Sequence, residues 1–338
     1  MKQRILCTVD RAMGFGDAMM LHSVIKDLSE LYDLRIICPD KSFSCINLYC
    51  EQYGVECFSV TTQPKFYTND YYCSLNLIYW DIYNNLRNLP NHAINCMRKL
   101  ANLDLYNKDD YKILPTISIS NHILDKINTT LSSLPKPIIL VHPLISYYNK
   151  MIDDGLYYDI VSKVRDLGTV IQIGTPVRDS LIHPKAINLI GKTSLAETLA
   201  LIKFADLVFC GDTFVQHAAA LMKTPAVVYF CGTTPMDFGY PFFSNIFNPE
   251  LVPCQLKCGR PLRWLYDYTY SDLNNWNSRN ETGWVCPTKY CSSYITSDLI
   301  LNLIEKELKI GKDRDWSFYP IEVSDYMSCY DDYRRSIC

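Results

Sequence analysis

Between residues 138 and 235 the chain alternates short apolar runs with amphipathic segments, and this alternation restricts it to a parallel α/β sheet. IILVHP, TVIQIGTP, DLVFCGD and AVVYFCGTTP read as strands; GLYYDIVSKVRDLG, SLAETLALIKFA and FVQHAAALMK read as the helices between them. Strands covered by helices on both faces need continuous apolar runs, and parallel neighbours need a helical crossover. The N-terminal end opens the same way. RILCTV is followed by a glycine turn, then by a helix with Ala18, Leu21, Val24, Ile25, Leu28 and Leu31 at helical spacing, then by LRIIC. Residues 60–120, rich in Tyr and Asn, show no clear period. TTLSSLPKP (129–137) reads as a linker. The expected fold class is therefore α/β, with two Rossmann-like domains, 1–136 and 137–315, facing a cleft. A tail, 316–338, is expected to lie against their surface.

Composition narrows the functional classes. The 338 residues are 48% hydrophobic and 20% charged, with a net charge of −3. A packed globular core is expected, and a broadly basic nucleic-acid binder is excluded. Residues 1–150 hold 15 basic and 14 acidic residues, which gives no support to a DNA substrate. No apolar run has the length of a membrane span, and the N-terminus reads as a first strand, not a signal peptide. A cytoplasmic location is expected.

The 15 cysteines are an odd number, better matched to free thiols or metal ligands than to a disulfide framework. Eleven are scattered among apolar neighbours and read as small core residues. The other four, Cys254-x3-Cys258 and Cys286-x4-Cys291, bracket an insertion rich in Trp, Tyr and Arg. Two close thiolate pairs joined by a loop suit a tetrahedral metal site. Four reduced cysteines lying near one another is the plainer alternative.

Ligands of open α/β sheets bind at the carboxyl ends of the strands, and three clusters fall there. Gly14, Gly16 and Asp17 sit at a strand-to-helix turn, with Met19 where a dinucleotide fingerprint would have its third glycine. Asp17 reads either as a first-turn helix acid or as a general base at the cleft. Asp212, Thr213 and His217 follow DLVFCGD; a histidine beside Ala218, Ala219 and Ala220 is also consistent with a hydrogen-bonded packing residue. Gly232, Thr233 and Thr234 form a turn whose amides and hydroxyls suit phosphate oxygens. Ser194 and Glu197 have capping-box spacing.

Taken together, residues 189–235 resemble the nucleotide-sugar segment of the ADP-heptose-type heptosyltransferases. These are inverting enzymes with two Rossmann-like domains, the glycosyltransferase B architecture. Gly191, Thr193, Ser194, Leu195, Glu197, Ala205, Asp206, Asp212, His217, Ala218, Ala220, Gly232, Thr234 and Pro235 carry the match. GFGDAMMLHSVIKDL is similar to the family's N-terminal turn, which supports Asp17 as base. VHPLISYYNKMIDDGLYYDIV resembles the segment whose lysine meets the donor phosphates, here Lys150; a solvated surface lysine is the alternative. Phe214 departs from the pattern, standing where the family has glycine. The cysteine segment 254–291 resembles the four-cysteine iron-binding finger of the autotransporter heptosyltransferases, with different spacing.

The resemblance implies an acceptor domain over 1–136 and a nucleotide-sugar domain over 137–315. It implies that Asp17 deprotonates an acceptor hydroxyl and Lys150 steadies the leaving diphosphate. Gly16, Thr193, Ser194, Glu197, Asp212, Thr213, His217, Gly232, Thr233 and Thr234 are expected to bind the donor. The one Asp-x-Asp, Asp313-Arg314-Asp315, lies toward the tail, so no catalytic metal is expected. A structural zinc or iron at the four cysteines is. The partners are a nucleotide-sugar donor, a glycan, protein or modified-base acceptor, and a second copy of the chain in a homo-oligomer. The alternatives are an inactive sugar-nucleotide-binding protein and an epimerase on the same scaffold.

Overall fold

The computed structural model describes residues 2–9, 13–62, 73–77, 92–143, 150, 152–175, 181–231, 233–247 and 295–321. Its first half is built on β1 (Arg4–Val9), α1 (Phe15–Leu31), β2 (Asp33–Cys38), α2 (Asp40–Tyr53), β3 (Glu56–Ser59) and β4 (Cys73–Leu77). The four strands form a parallel sheet in the order β3-β2-β1-β4. Successive strands move outward from β1 on one side, and β4 then returns to its other side. That reversal leaves a crevice beyond the carboxyl end of β1, which is where Gly14, Gly16 and Asp17 stand. The stretch that lacked a clear period contains β4 and α3 (Ala93–Leu100), then β5 (Lys112–Ile113).

Helix α4 (Asn121–Ser132) runs through the first residues of the segment read as a linker, leaving 133–137 as the connection. The second half holds β6 (Ile138–His142), α5 (Asp154–Val164), β7 (Thr169–Gln172), β8 (Ile187–Asn188), α6 (Leu195–Phe204) and β9 (Leu207–Gly211). It continues with α7 (Phe214–Met222), β10 (Ala226–Tyr229), α8 (Pro235–Phe238) and β11 (Ser244–Ile246). Its parallel sheet has the order β11-β10-β9-β6-β7-β8. All four expected strands are present, flanked by the short edges β8 and β11. Every residue of β9 and β10 is buried, as strands with helices on both faces require. Here too the order reverses, between β6 and β9, and Asp212 follows β9 directly. The expected class, α/β with parallel sheets, is the one observed.

The two halves touch where α1 crosses α7. A Cβ on Gly16 would come within 3.3 Å of His217 Cδ2 and 3.6 Å of the Phe214 nitrogen, so glycine is what lets the helices approach this closely. Helix α4 packs on α6, where Lys126 and Glu197 form an ion pair of 2.6 Å. After α9 (Ser297–Ile310) the chain crosses back, and β12 (Ser317–Phe318) pairs antiparallel with β5. Phe318 is fully buried among His92, Tyr106 and Tyr240. Trp316 packs on Phe242, its ring centroid 5.1 Å away.

Cys7, Cys38, Cys45, Cys50, Cys96, Cys210 and Cys231 are buried free thiols. Burial pushes Cys7 and Cys96 up to about 12, the behaviour of inert core residues. Cys254, Cys258, Cys286 and Cys291 lie outside the described residues. Among the described residues no His, Cys, Asp and Glu group suits a metal ion, and no helix is long and apolar enough to cross a membrane.

Candidate functional site

Asp212 is buried, at 5% exposure, and gathers polar groups from three segments. Its Oδ2 accepts from Lys150 Nζ at 2.6 Å and from Thr233 Oγ1 at 2.7 Å. Its Oδ1 accepts from Gln216 Nε2, and His217 Nε2 stands 4.0 Å from it. Burial acts against the charge on Asp212, but the Lys150 ammonium and the Thr233 hydroxyl outweigh it and hold the carboxyl below its ordinary range. The pair is thus a true ion pair with both partners largely out of solvent. The energy of such a pair depends on both members being present.

His217 Nδ1 meets the Tyr240 hydroxyl at 2.8 Å. Burial, opposed by Asp212 and aided by Lys150, brings this imidazole down to about 4, so it is neutral at physiological pH. His92, in the first half, lies 5.4 Å from the Tyr240 ring. Burial brings it down to about 3. Neutral imidazoles act as hydrogen-bonding shape, not as charge, so the net positive group here is Lys150.

Asp17 is half-buried at the third position of α1 and accepts the Gly14 N–H at 3.0 Å. The first-turn role is therefore realised. A second feature goes beyond it. Burial, with Asp212 adding, raises the carboxyl to about 6 against the pull of the Gly14 N–H, Lys150 and Lys41. A carboxyl held there is half ionised near pH 6 and mostly ionised at neutrality, where it is able to take a proton. The electrostatic reach of Lys150 and Asp212 onto Asp17 joins the two crevices. Lys41, at the start of α2, was not singled out in the sequence.

The remaining candidates divide. Thr213 caps α7, accepting the Val215 N–H at 3.2 Å. Thr234 caps α8 and donates to Asp237 Oδ2 at 2.7 Å. Ser194 and Glu197 form the expected capping box on α6, and Thr193 bonds Thr198 at 2.8 Å. Glu197 also binds Lys126, which together with the Ser194 donors brings its carboxyl down to about 2. Among the described residues the hydrogen bonds of Thr193, Ser194 and Glu197 stay in this turn and with Lys126, apart from the Asp212 group. Gly232 lies outside the described residues. Phe214 packs edge to face on Phe15, with centroids 5.9 Å apart, so the ring in the glycine position bridges the first turns of α7 and α1.

Gln216, Tyr240 and His92 stand outside the three sequence clusters. Gln216 was accessible in principle, since Asp212 and Gln216 are four residues apart, one helical turn. Tyr240 and His92 are joined to the site only by folding.

Residues 85–248 match the profile of glycosyltransferase family 9 (heptosyltransferase). No curated protein matches the sequence. Among solved structures, a family 9 glycosyl transferase from Veillonella parvula is 12% identical over 91% of this chain and 97% of its own, with a TM-score of 0.58. The iron-containing dodecameric glycosyltransferase TibC of enterotoxigenic E. coli is 13% identical over 91% of this chain and 78% of its own, with a TM-score of 0.62. ADP-heptose heptosyltransferase II of E. coli is 13% identical over 91% and 99%, with a TM-score of 0.52. At these identities the likeness to the three structures is one of fold.

Proposed function

Because residues 85–248 match the profile of glycosyltransferase family 9 (heptosyltransferase), we propose that the chain is a glycosyltransferase that moves a sugar from a nucleoside diphosphate to an acceptor hydroxyl with inversion, with ADP-heptose the first donor to test. The observation that carries this reading is the buried Lys150–Asp212 ion pair at the carboxyl end of β9, with Asp17 entering from α1 within its electrostatic reach.

In this mechanism the acceptor hydroxyl gives its proton to Asp17 as its oxygen bonds to the anomeric carbon. The bond from that carbon to the diphosphate breaks, and the diphosphate leaves with the electron pair. Charge develops on the leaving phosphate, where a preorganised cation is most effective. Lys150 fills that role, with Thr233 and the first-turn amides of α7 beside it. Asp212 holds Lys150 until the diphosphate arrives; neutral His217 and Tyr240 wall the pocket. The acceptor, whether glycan, protein or modified base, approaches from the first half. Gly16, Thr193, Ser194, Glu197, Gly232 and Thr234 complete the donor site in this reading.

A second reading, a sugar-nucleotide-binding protein without turnover, draws on Phe214, whose ring replaces the family's glycine. The purified chain incubated with ADP-heptose and with UDP-, GDP- and CDP-sugars distinguishes the two. A raised melting temperature with slow nucleotide release supports transfer. Binding without release supports the second reading, and no binding by any donor refutes both. TibC is iron-containing and dodecameric. By analogy, elemental analysis is expected to find zinc or iron bound at Cys254, Cys258, Cys286 and Cys291, and light scattering an oligomer.

A further inference from the structure

Gln216 occupies the third position of α7 and is wholly buried. Its Nε2 donates to Asp212 Oδ1, whereas both close cationic and hydroxyl donors, Lys150 and Thr233, sit on Oδ2. Among the described residues the Gln216 Oε1 meets no hydrogen-bond donor. This arrangement settles the amide's orientation. Turned over, its carbonyl oxygen would face a carboxylate oxygen at bonding distance, two acceptors with no proton between them. A buried carbonyl without a donor is unfavourable, and an apolar side chain of the same length would fill the space without that penalty. The amide is explained by the one bond its nitrogen makes.

We propose that Gln216 is a positioning residue: it fixes the plane of the Asp212 carboxylate, and through it the place of the Lys150 ammonium. With Oδ1 tied from within α7, the carboxylate cannot swing to His217, and Oδ2 stays turned toward Lys150 and Thr233. Lys150 is then held in one place at the crevice instead of sampling several. The functional meaning of this rests on the donor-site reading above; the geometry does not.

The test uses the full chain with Gln216→Met, which keeps length and removes the donor, and Gln216→Glu. Site-resolved acylation of lysines, read by mass spectrometry, reports how firmly each ammonium is held. Lys150 in Gln216→Met is expected to label about ten- to a hundredfold faster than in the wild type, the equilibrium weight of one hydrogen bond to a charged group. Lys126 and Lys163 should be unchanged. In Gln216→Glu the Lys150 rate should match wild type near pH 6, where a protonated Glu still donates to Asp212. It should fall below wild type near pH 8.5, where a second carboxylate holds the Lys150 proton more tightly and leaves less free amine to acylate. That pH contrast also decides the matter if Gln216→Met does not fold, and a packing role alone would not produce it. Unchanged Lys150 labelling in a folded variant overturns the proposal. Changed labelling, in a chain whose wild type binds no nucleotide sugar, leaves the positioning intact and removes the donor-site reading instead.

Discussion

Asp17→Asn separates the helix-capping role of this residue from its role as a base. Asparagine Oδ1 can still accept the Gly14 N–H, so the cap survives, while the ionisable proton site is lost. A carboxyl raised from about 3.9 to about 6 binds its proton more tightly in the folded than in the unfolded chain by about 3 kcal/mol. Between those two values the folded state holds more protons, so the wild type loses stability as pH rises through that window. The loss is complete above pH 6. The variant has no such group. Its advantage over wild type should therefore be near zero below pH 4 and reach up to about 3 kcal/mol by pH 7–8. Urea unfolding of both proteins from pH 3.5 to 8 measures this difference directly. Nucleotide release from a bound donor should fall by about 10²- to 10⁴-fold, the usual contribution of a general base. A stability difference that is flat across the pH range refutes the raised carboxyl. Turnover within a few-fold of wild type refutes the base.

Three further outcomes follow from the packing. Lys150→Ala leaves Asp212 charged and buried, so urea unfolding at pH 7 should show a loss of about 3–5 kcal/mol, the range for one-sided removal of a buried pair. Gly16→Ala places a Cβ 3.3 Å from His217 Cδ2; α1 and α7 must separate slightly, and a loss of about 1–3 kcal/mol is expected from overpacking. Phe318→Ala empties a fully buried site between β12, β5 and Tyr240. It should destabilise by about 3–5 kcal/mol and make the segment after α9 cleave faster in limited proteolysis.

Much of the scaffold was legible because its signals are local. The apolar runs of β6, β9 and β10 could only be strands buried on both faces, and the helices between them fixed parallel connections. The capping box of Ser194 and Glu197 spans one turn and was readable as spacing alone. α3 and β4 were not legible, since residues near them show no sustained period and their packing supplies the order that propensity does not. The two-residue strands β5 and β12 are too short to carry a pattern; each exists only as the other's partner, some two hundred positions along the chain.

The same distinction divides the site. Sequence by itself determined which groups follow the carboxyl ends of the strands, Asp17 after β1, Asp212 after β9 and Thr233 after β10, while Lys150 was reached only through the family resemblance. Each parallel sheet delivers such positions to its own carboxyl rim whatever the side chains do, Asp17 on the first sheet and Asp212 and Thr233 on the second. Only the tertiary structure decided that Lys150 and Thr233 share one oxygen of Asp212 while Gln216 holds the other. Burial, opposed by neighbouring charges, then drives Asp17 up and His217 down. Proton affinity depends on desolvation and on charges brought near by folding, and neither is encoded in the order of neighbouring residues.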